Sequence, residues 1–380
     1  MAGGLAVVTA VLGLILLAAP ERSDAQLSCD DPPMDVSRLV TVWDKTDFCQ
    51  FEEGVFDDII SGGVPRDGIP PIDNPEFESI DAASEWLQPQ SPLIAVEIDG
   101  LARGYPLAIL TRHEIVNDVI GETPVIVTFC PLCNSALVFD SRVGGEPLRF
   151  GVSGLLRNSD LIMWDDKTQS WWQQFTGTGI VGEYTGYQLD LIPSQVVGFE
   201  AFVEAFPAAE VLSRGSRSYG ANPYTNYDSS AQPFLFRGEP DARLFATERV
   251  LAGLIGGQPI AYPFPALEAE RVINDTVGER DVVALWQPGA ASALGASQID
   301  EAEDVGMAAL YSRRLGDRVL TFESADGVIR DLETGSTWNV FGRAVEGELA
   351  GSQFEPEFAA PHFWFAWAAF RPETEVYGLE

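Results

Sequence analysis

The sequence predicts a mainly β protein with short helices (α+β), built as two tandem, pseudo-symmetric repeats of one β-rich unit. Three observations predict it. From about residue 91, short apolar runs are broken by turn residues, as in Ile94–Ile98, Asp99-Gly100 and Leu101–Leu107, the pattern of a hairpin with a type I′ turn. Residues 105–137 align without a gap to residues 262–294, at a constant offset of 157, and self-similarity at a fixed spacing marks a duplicated unit. Finally, 380 residues that are 46% hydrophobic and 11% aromatic supply a sizeable core and exclude a disordered acidic chain.

Taken in order, the chain opens with an unbroken apolar run, Leu5 to Ala19. It is short for a membrane span and reads as the core of a signal peptide within residues 1–25. No Lys or Arg precedes it, so an uncleaved N-terminal anchor stays as the alternative. Either way the chain is expected to be exported (periplasmic, extracellular or at the cell surface). Export makes Cys29 and Cys49 an expected disulfide, closing a loop worth about 3 kcal/mol on the chain-entropy model. Residues 26–90 read as an extended segment over the main body. Residues 91–215 form the first repeat, 216–249 a connector and 250–380 a second, degenerate and structural repeat. Within the first, Thr111-Arg112-His113-Glu114 has capping-box spacing and predicts a short helix through Asp118. Val125–Phe129 predicts a buried strand, and Gly144-Gly145 a further hairpin.

The alignment serves as an internal comparison. Tyr105, Asn117, Asp118, Ser135 and Leu137 recur as Tyr262, Asn274, Asp275, Ser292 and Leu294, and Asp165, Thr168, Ser170 and Trp172 as Asp331, Thr334, Ser336 and Trp338. Shared positions are most simply structural. The differences are chemical: His113 is replaced by Glu270, Cys130 by Gln287, Cys133 by Ala290 and Met163 by Ile329. The segment Gly154–Asp160 is largely missing from the second repeat.

Charge narrows the partners. With 57 acidic and 23 basic side chains the formal charge is −34, which argues against nucleic acid and anionic membranes. Only Lys45 and Lys167 are lysines; a high-salt habitat and a GC-rich genome both account for this.

Cys130-Pro131-Leu132-Cys133 directly follows a predicted strand, so both thiols sit on one tight turn. With His113 upstream they form a three-ligand N/S set. Thiolate and imidazole suit Cu(I) or zinc, and a thioether from Met163 favours copper. Copper is therefore the expected cofactor and zinc the alternative, although structural zinc normally takes four such ligands. A thiol–disulfide oxidoreductase using Cys130 and Cys133 is the rival enzyme reading, and a non-enzymatic extracellular binding protein the rival from another class. Trp164, beside Met163, reads as core or as an apolar shell around a metal. His362 lies in an aromatic segment and reads as a packed histidine. No catalytic residue is assigned. The expected partners are a small molecule or a thiol or redox protein.

At His113–Asp118, Val127–Asn134 and Gly154–Asp160 the sequence resembles the exported bacterial and archaeal family called domain of unknown function 3179. Asp165–Trp172, Tyr219–Tyr224 and Phe363–Phe370 look similar too, and coverage runs from about residue 90 to 375. The resemblance implies export and a recurring His plus Cys-x-x-Cys. It places Arg157, Asn158 and Asp160 along or behind the site, with Asn134 closing the cysteine motif.

Overall fold

The structure, a computed structural model, describes residues 39–379. The expected leader or anchor and Cys29 lie outside the described residues, and so does the expected Cys29–Cys49 pairing.

The chain is mainly β, with several small sheets and a few short helices. The first hairpin forms as the sequence predicts. Pro92–Ile98 pairs antiparallel with Leu101–Pro106, joined through Asp99 and Gly100 at φ 51° and 79°. Both values are positive, which a type I′ turn requires and which Gly and Asp tolerate best. Ser194–Gly198 flanks the hairpin on one side, and Glu210–Leu212 adds on the other in parallel. Thr123–Cys130 forms the centre of a second sheet, between Ile115–Ile120 and Ser135–Asp140. Phe150–Arg157, Asp160–Asp165, Trp171–Gln173 and Thr178–Val181 make a third. Around Gly144-Gly145 the predicted hairpin is small: only Arg142–Val143 and Glu146–Pro147 pair.

One predicted element is corrected. The helix spans Leu107–His113, not 111–118, and Ile115–Ile120 is a strand. The Thr111 hydroxyl bonds back to the Ala108 carbonyl, as helix-interior threonines do, and caps nothing. Glu114, at φ 57°, ends the helix, and its N–H bonds the Leu110 carbonyl.

Residues 39–90 contribute edges rather than merely lying over the body. Ile59–Ser61 pairs with Phe150–Arg157 and Phe77–Ser79 with Glu210–Leu212.

In the second half, Arg249–Ile255, Gln258–Pro263, Phe264–Glu270, Val272–Val277 and Arg280–Gln287 each lie 157 residues beyond an element of the same type in the first. Two polar networks also recur. Tyr105 donates to Asp118 as Tyr262 does to Asp275. Buried Asp165 accepts from the Thr168 N–H, the Thr168 hydroxyl and the Trp172 indole, as buried Asp331 does from Thr334 and Trp338.

The hydrophobic core crosses between the halves. The largest cluster joins Phe129, Phe139 and Phe150 to Trp364, Phe365 and Trp367 of the terminal helix Trp364–Phe370. The next joins Phe199 and Phe202 to Val283, Tyr311 and Trp338. Ring pairs do the same: Phe175 stacks on Phe370 at 4.8 Å, and Phe341 meets Phe206 edge-on at 5.1 Å.

Because each aspartate anchors several buried donors, Asp165→Ala and Asp331→Ala should each cost about 2–4 kcal/mol. Guanidinium denaturation checks this; a loss well under 1 kcal/mol at either position would show that the network does not hold its turn.

Candidate functional site

The strand Thr123–Cys130 runs into one 3-10 turn, Pro131–Cys133, and Asn134 at φ 49° returns the chain into Ser135–Asp140. Pro131 suits the first turn position, where an N–H would have no intrahelical partner. Both thiols thus stand at one end of the sheet, and both are free and buried. The third member comes from a neighbouring sheet. Asn158 and Ser159, at φ 54° and 64°, link Arg157 to Asp160 in a two-residue hairpin, and Asp160 is the first residue of its strand. The Cys130 and Cys133 sulfurs and an Asp160 carboxylate oxygen all lie within 4.8 Å of one another.

The surroundings of this cluster are acidic and dry. Asp160 is fully buried; its Oδ2 accepts from the Gln173 amide and the Phe175 N–H, at 2.6 and 2.9 Å. Its Oδ1 is buried with no nitrogen or oxygen donor, and the two thiols are what stabilises the carboxylate on the cluster side. Burial pushes the Asp160 carboxyl up to about 6, although these hydrogen bonds pull it down. Glu114 is buried nearby, and burial, with the Asp160 charge, pushes it up to about 8. Both thiols are pushed above the usual range, chiefly by burial; for Cys133 the neighbouring Cys130 and Asp160 add to this. Tyr224 and Tyr227 close the outer side. Burial raises both hydroxyls, with contributions from Glu114 and Cys130 at Tyr224 and from Cys133 at Tyr227. The Tyr227 hydroxyl donates to the Leu132 carbonyl at 3.1 Å.

The other residues singled out by sequence fall elsewhere. His113 is outside the cluster: it ends its helix, its Nδ1 faces the Pro70 carbonyl at 2.7 Å, and its ring meets Tyr219 edge-on. Met163 is fully buried, paired with Val152 and Trp172 in the adjoining strands. Trp164 packs with Trp43, centroids 5.8 Å apart, in a separate core cluster. Arg157 is held by Glu52 and Asp58 of the N-terminal segment. Asn134 and Asn158 act through their backbones, as the left-handed residues of the two turns.

Sequence reasoning missed Glu114, Gln173 and Tyr227. A signal for Glu114 was present: at the offset of 157 it faces Arg271, which shares its positive φ of 66° but stacks over the Trp286 ring. An acid in one half and a cation in the other is a reversal that core packing does not require.

The whole cluster lies within a stretch that matches a known family. Residues 66–374 match the family described as Protein of unknown function (DUF3179). The chain belongs to that family. No curated protein and no solved structure matches it. Among the described residues no helix is long and apolar enough to cross a membrane.

His362, from the second half, stands one residue behind the cluster. Its ring lies 4.6 Å from that of Phe175, the residue whose N–H bonds Asp160. His362 is buried, its Nδ1 has no partner, and burial lowers its pKa to about 3. Its folded-state pKa is thus below the ordinary 6.5, so its contribution to stability is complete above pH 6.5 and is lost as the pH falls. The loss is about 1.4 kcal/mol per pH unit on the way to the folded value. Glu114 and Asp160, being raised acids, contribute with the opposite sign, losing stability as the pH rises through their folded values. Denaturation of His362→Phe at pH 7, 6 and 5 should show a shallower acid loss than the parent chain; parallel curves would show that the histidine is not buried neutral.

Proposed function

We propose that this chain is an exported metal-binding protein whose Cys130–Cys133–Asp160 cluster holds a thiophilic transition metal. One observation carries the reading. Two thiols and two carboxyls are buried together, one carboxylate oxygen has no nitrogen or oxygen donor, and each group is disfavoured in its charged form by its surroundings. A cation reverses that balance, because a coordinated thiol is deprotonated and a carboxylate beside it becomes a ligand. Uncompensated buried acids are otherwise costly.

Two thiolates suit copper or zinc. A carboxylate in place of the expected imidazole moves the set toward zinc, which accepts sulfur and oxygen together. With copper as the occupant, the role is copper handling or copper-dependent redox chemistry on a small molecule or thiol partner. Thiol–disulfide exchange is less well supported, since it needs an accessible thiol of lowered pKa and both thiols here are buried and raised. The rest of the proposal concerns architecture: two tandem copies of one unit, the second without the site. The recurrence of five consecutive elements and two polar networks at matching positions supports it. Export rests on the apolar run Leu5–Ala19.

Metal analysis with free-thiol counting, on full-length protein purified anaerobically under reducing conditions, tests the site. About one metal per chain is expected in the parent, none in Cys130→Ser/Cys133→Ser, and an affinity at least about tenfold weaker in Asp160→Asn. His113→Ala should keep its metal. A metal-free parent with a Cys130–Cys133 disulfide that resists mild reductant would falsify the proposal.

A further inference from the structure

Where the two halves meet, the reciprocal aromatic contacts leave a cavity of about 340 Å³. Its walls include Phe175 and Leu137 from the first half and Phe341, Trp367 and Ala252 from the second. A cavity of this size and apolar lining is that of a small-molecule site rather than a packing defect. Packing voids in native cores are few and small.

Polar side chains, Ser194, Gln195 and Gln353 among them, interrupt the apolar wall. His362 lines it, fully buried, with Nδ1 unpartnered, and uncharged across the neutral range. Gln195 donates to the Tyr311 hydroxyl, and its own Oε1 is buried with no partner. Among the charged side chains on the wall, Glu97 is held by Arg343 and Glu357 by Arg280. Arg371 is left over: its guanidinium donates to the Phe370 carbonyl, and among the described residues it has no carboxylate partner. Arg343 being paired, Arg371 is the lining cation left without a carboxylate among the described residues. Arginine there favours a carboxylate, which its planar donors can bind through two parallel hydrogen bonds.

We propose that this cavity binds an amphipathic monocarboxylate, a medium-chain fatty acid in type, with its apolar body between Phe175 and Phe341 and its carboxylate on Arg371. The site is separate from the cysteine cluster, and it stands or falls independently of any metal.

Isothermal titration calorimetry of the full chain with dodecanoate and with dodecanol tests this. Dodecanoate should bind saturably at one site per chain and more tightly than the alcohol. Arg371 is only partly buried, so Arg371→Leu should fold normally, with circular dichroism as the check. The substitution should weaken dodecanoate by about tenfold or more and leave dodecanol unchanged, and Arg371→Lys should recover part of the loss. No saturable binding of dodecanoate would overturn the proposal. Equal affinity for acid and alcohol, or an acid affinity indifferent to Arg371→Leu, would do the same. Repeating the titration with Cys130→Ser/Cys133→Ser should give the parent's affinity, which separates failure here from failure of the metal site.

Discussion

The architecture depends on an exchange of aromatic side chains between the halves. Phe175 is covered by Phe370, and Phe341 by Phe206. The helices that precede, or carry, these partners lie in cores that both halves build. Neither half therefore encloses its own apolar surface, and aromatic groups of this size dominate the burial that opposes chain entropy. The same arrangement explains the cavity. Phe175, Phe206 and Phe341 all border the space left between the halves, and so does His362, whose ring packs on Phe175 beside the cysteine cluster.

At the cluster itself the controlling quantity is desolvation. Asp160 and Glu114 carry no salt bridge among the described residues, and the two sulfurs share their enclosure. In the second half the corresponding positions are Gln287, Ala290 and Arg271, and the strain of burying acids is absent. Gln287 there accepts from the Val340 N–H, an ordinary neutral bond. The halves thus share turns and hydrogen-bond anchors but differ in whether they bury uncompensated acidity.

Much of the fold was legible because its turns declare themselves. Asp99-Gly100 forces positive φ at two successive residues, and only a tight hairpin uses that. The helix at Leu107–His113 was misplaced because Thr111 and Glu114 have the spacing of a cap while serving as an interior residue and a terminator. Spacing does not distinguish the two ends of a helix. The cysteine turn was legible from its strand and proline. His113 was not, since proximity in sequence says nothing of where a side chain points, and its ring turns toward Pro70 and Tyr219. Asp160 could be read from a loop that one half lacks. Glu114, one of 57 acids, was marked only by the arginine at the matching position, Arg271, and its burial then set it apart.

Every group of the cluster stands at the end of a regular element: Cys130 closes a strand, Cys133 closes its turn, and Asp160 opens a strand. The spacing of their backbones is therefore held by the hydrogen bonds of those elements. What covers them is different in kind. Between Leu212 and Arg249 the chain forms no strand, only the short turn Tyr227–Ser229, and Tyr227 is tied to the site by a single bond to Leu132. Irregular chain of this sort opens at lower free energy than a sheet. How tightly an occupant is held and how quickly it can leave are then written in different parts of the sequence, the first in the strands and the second in the connector.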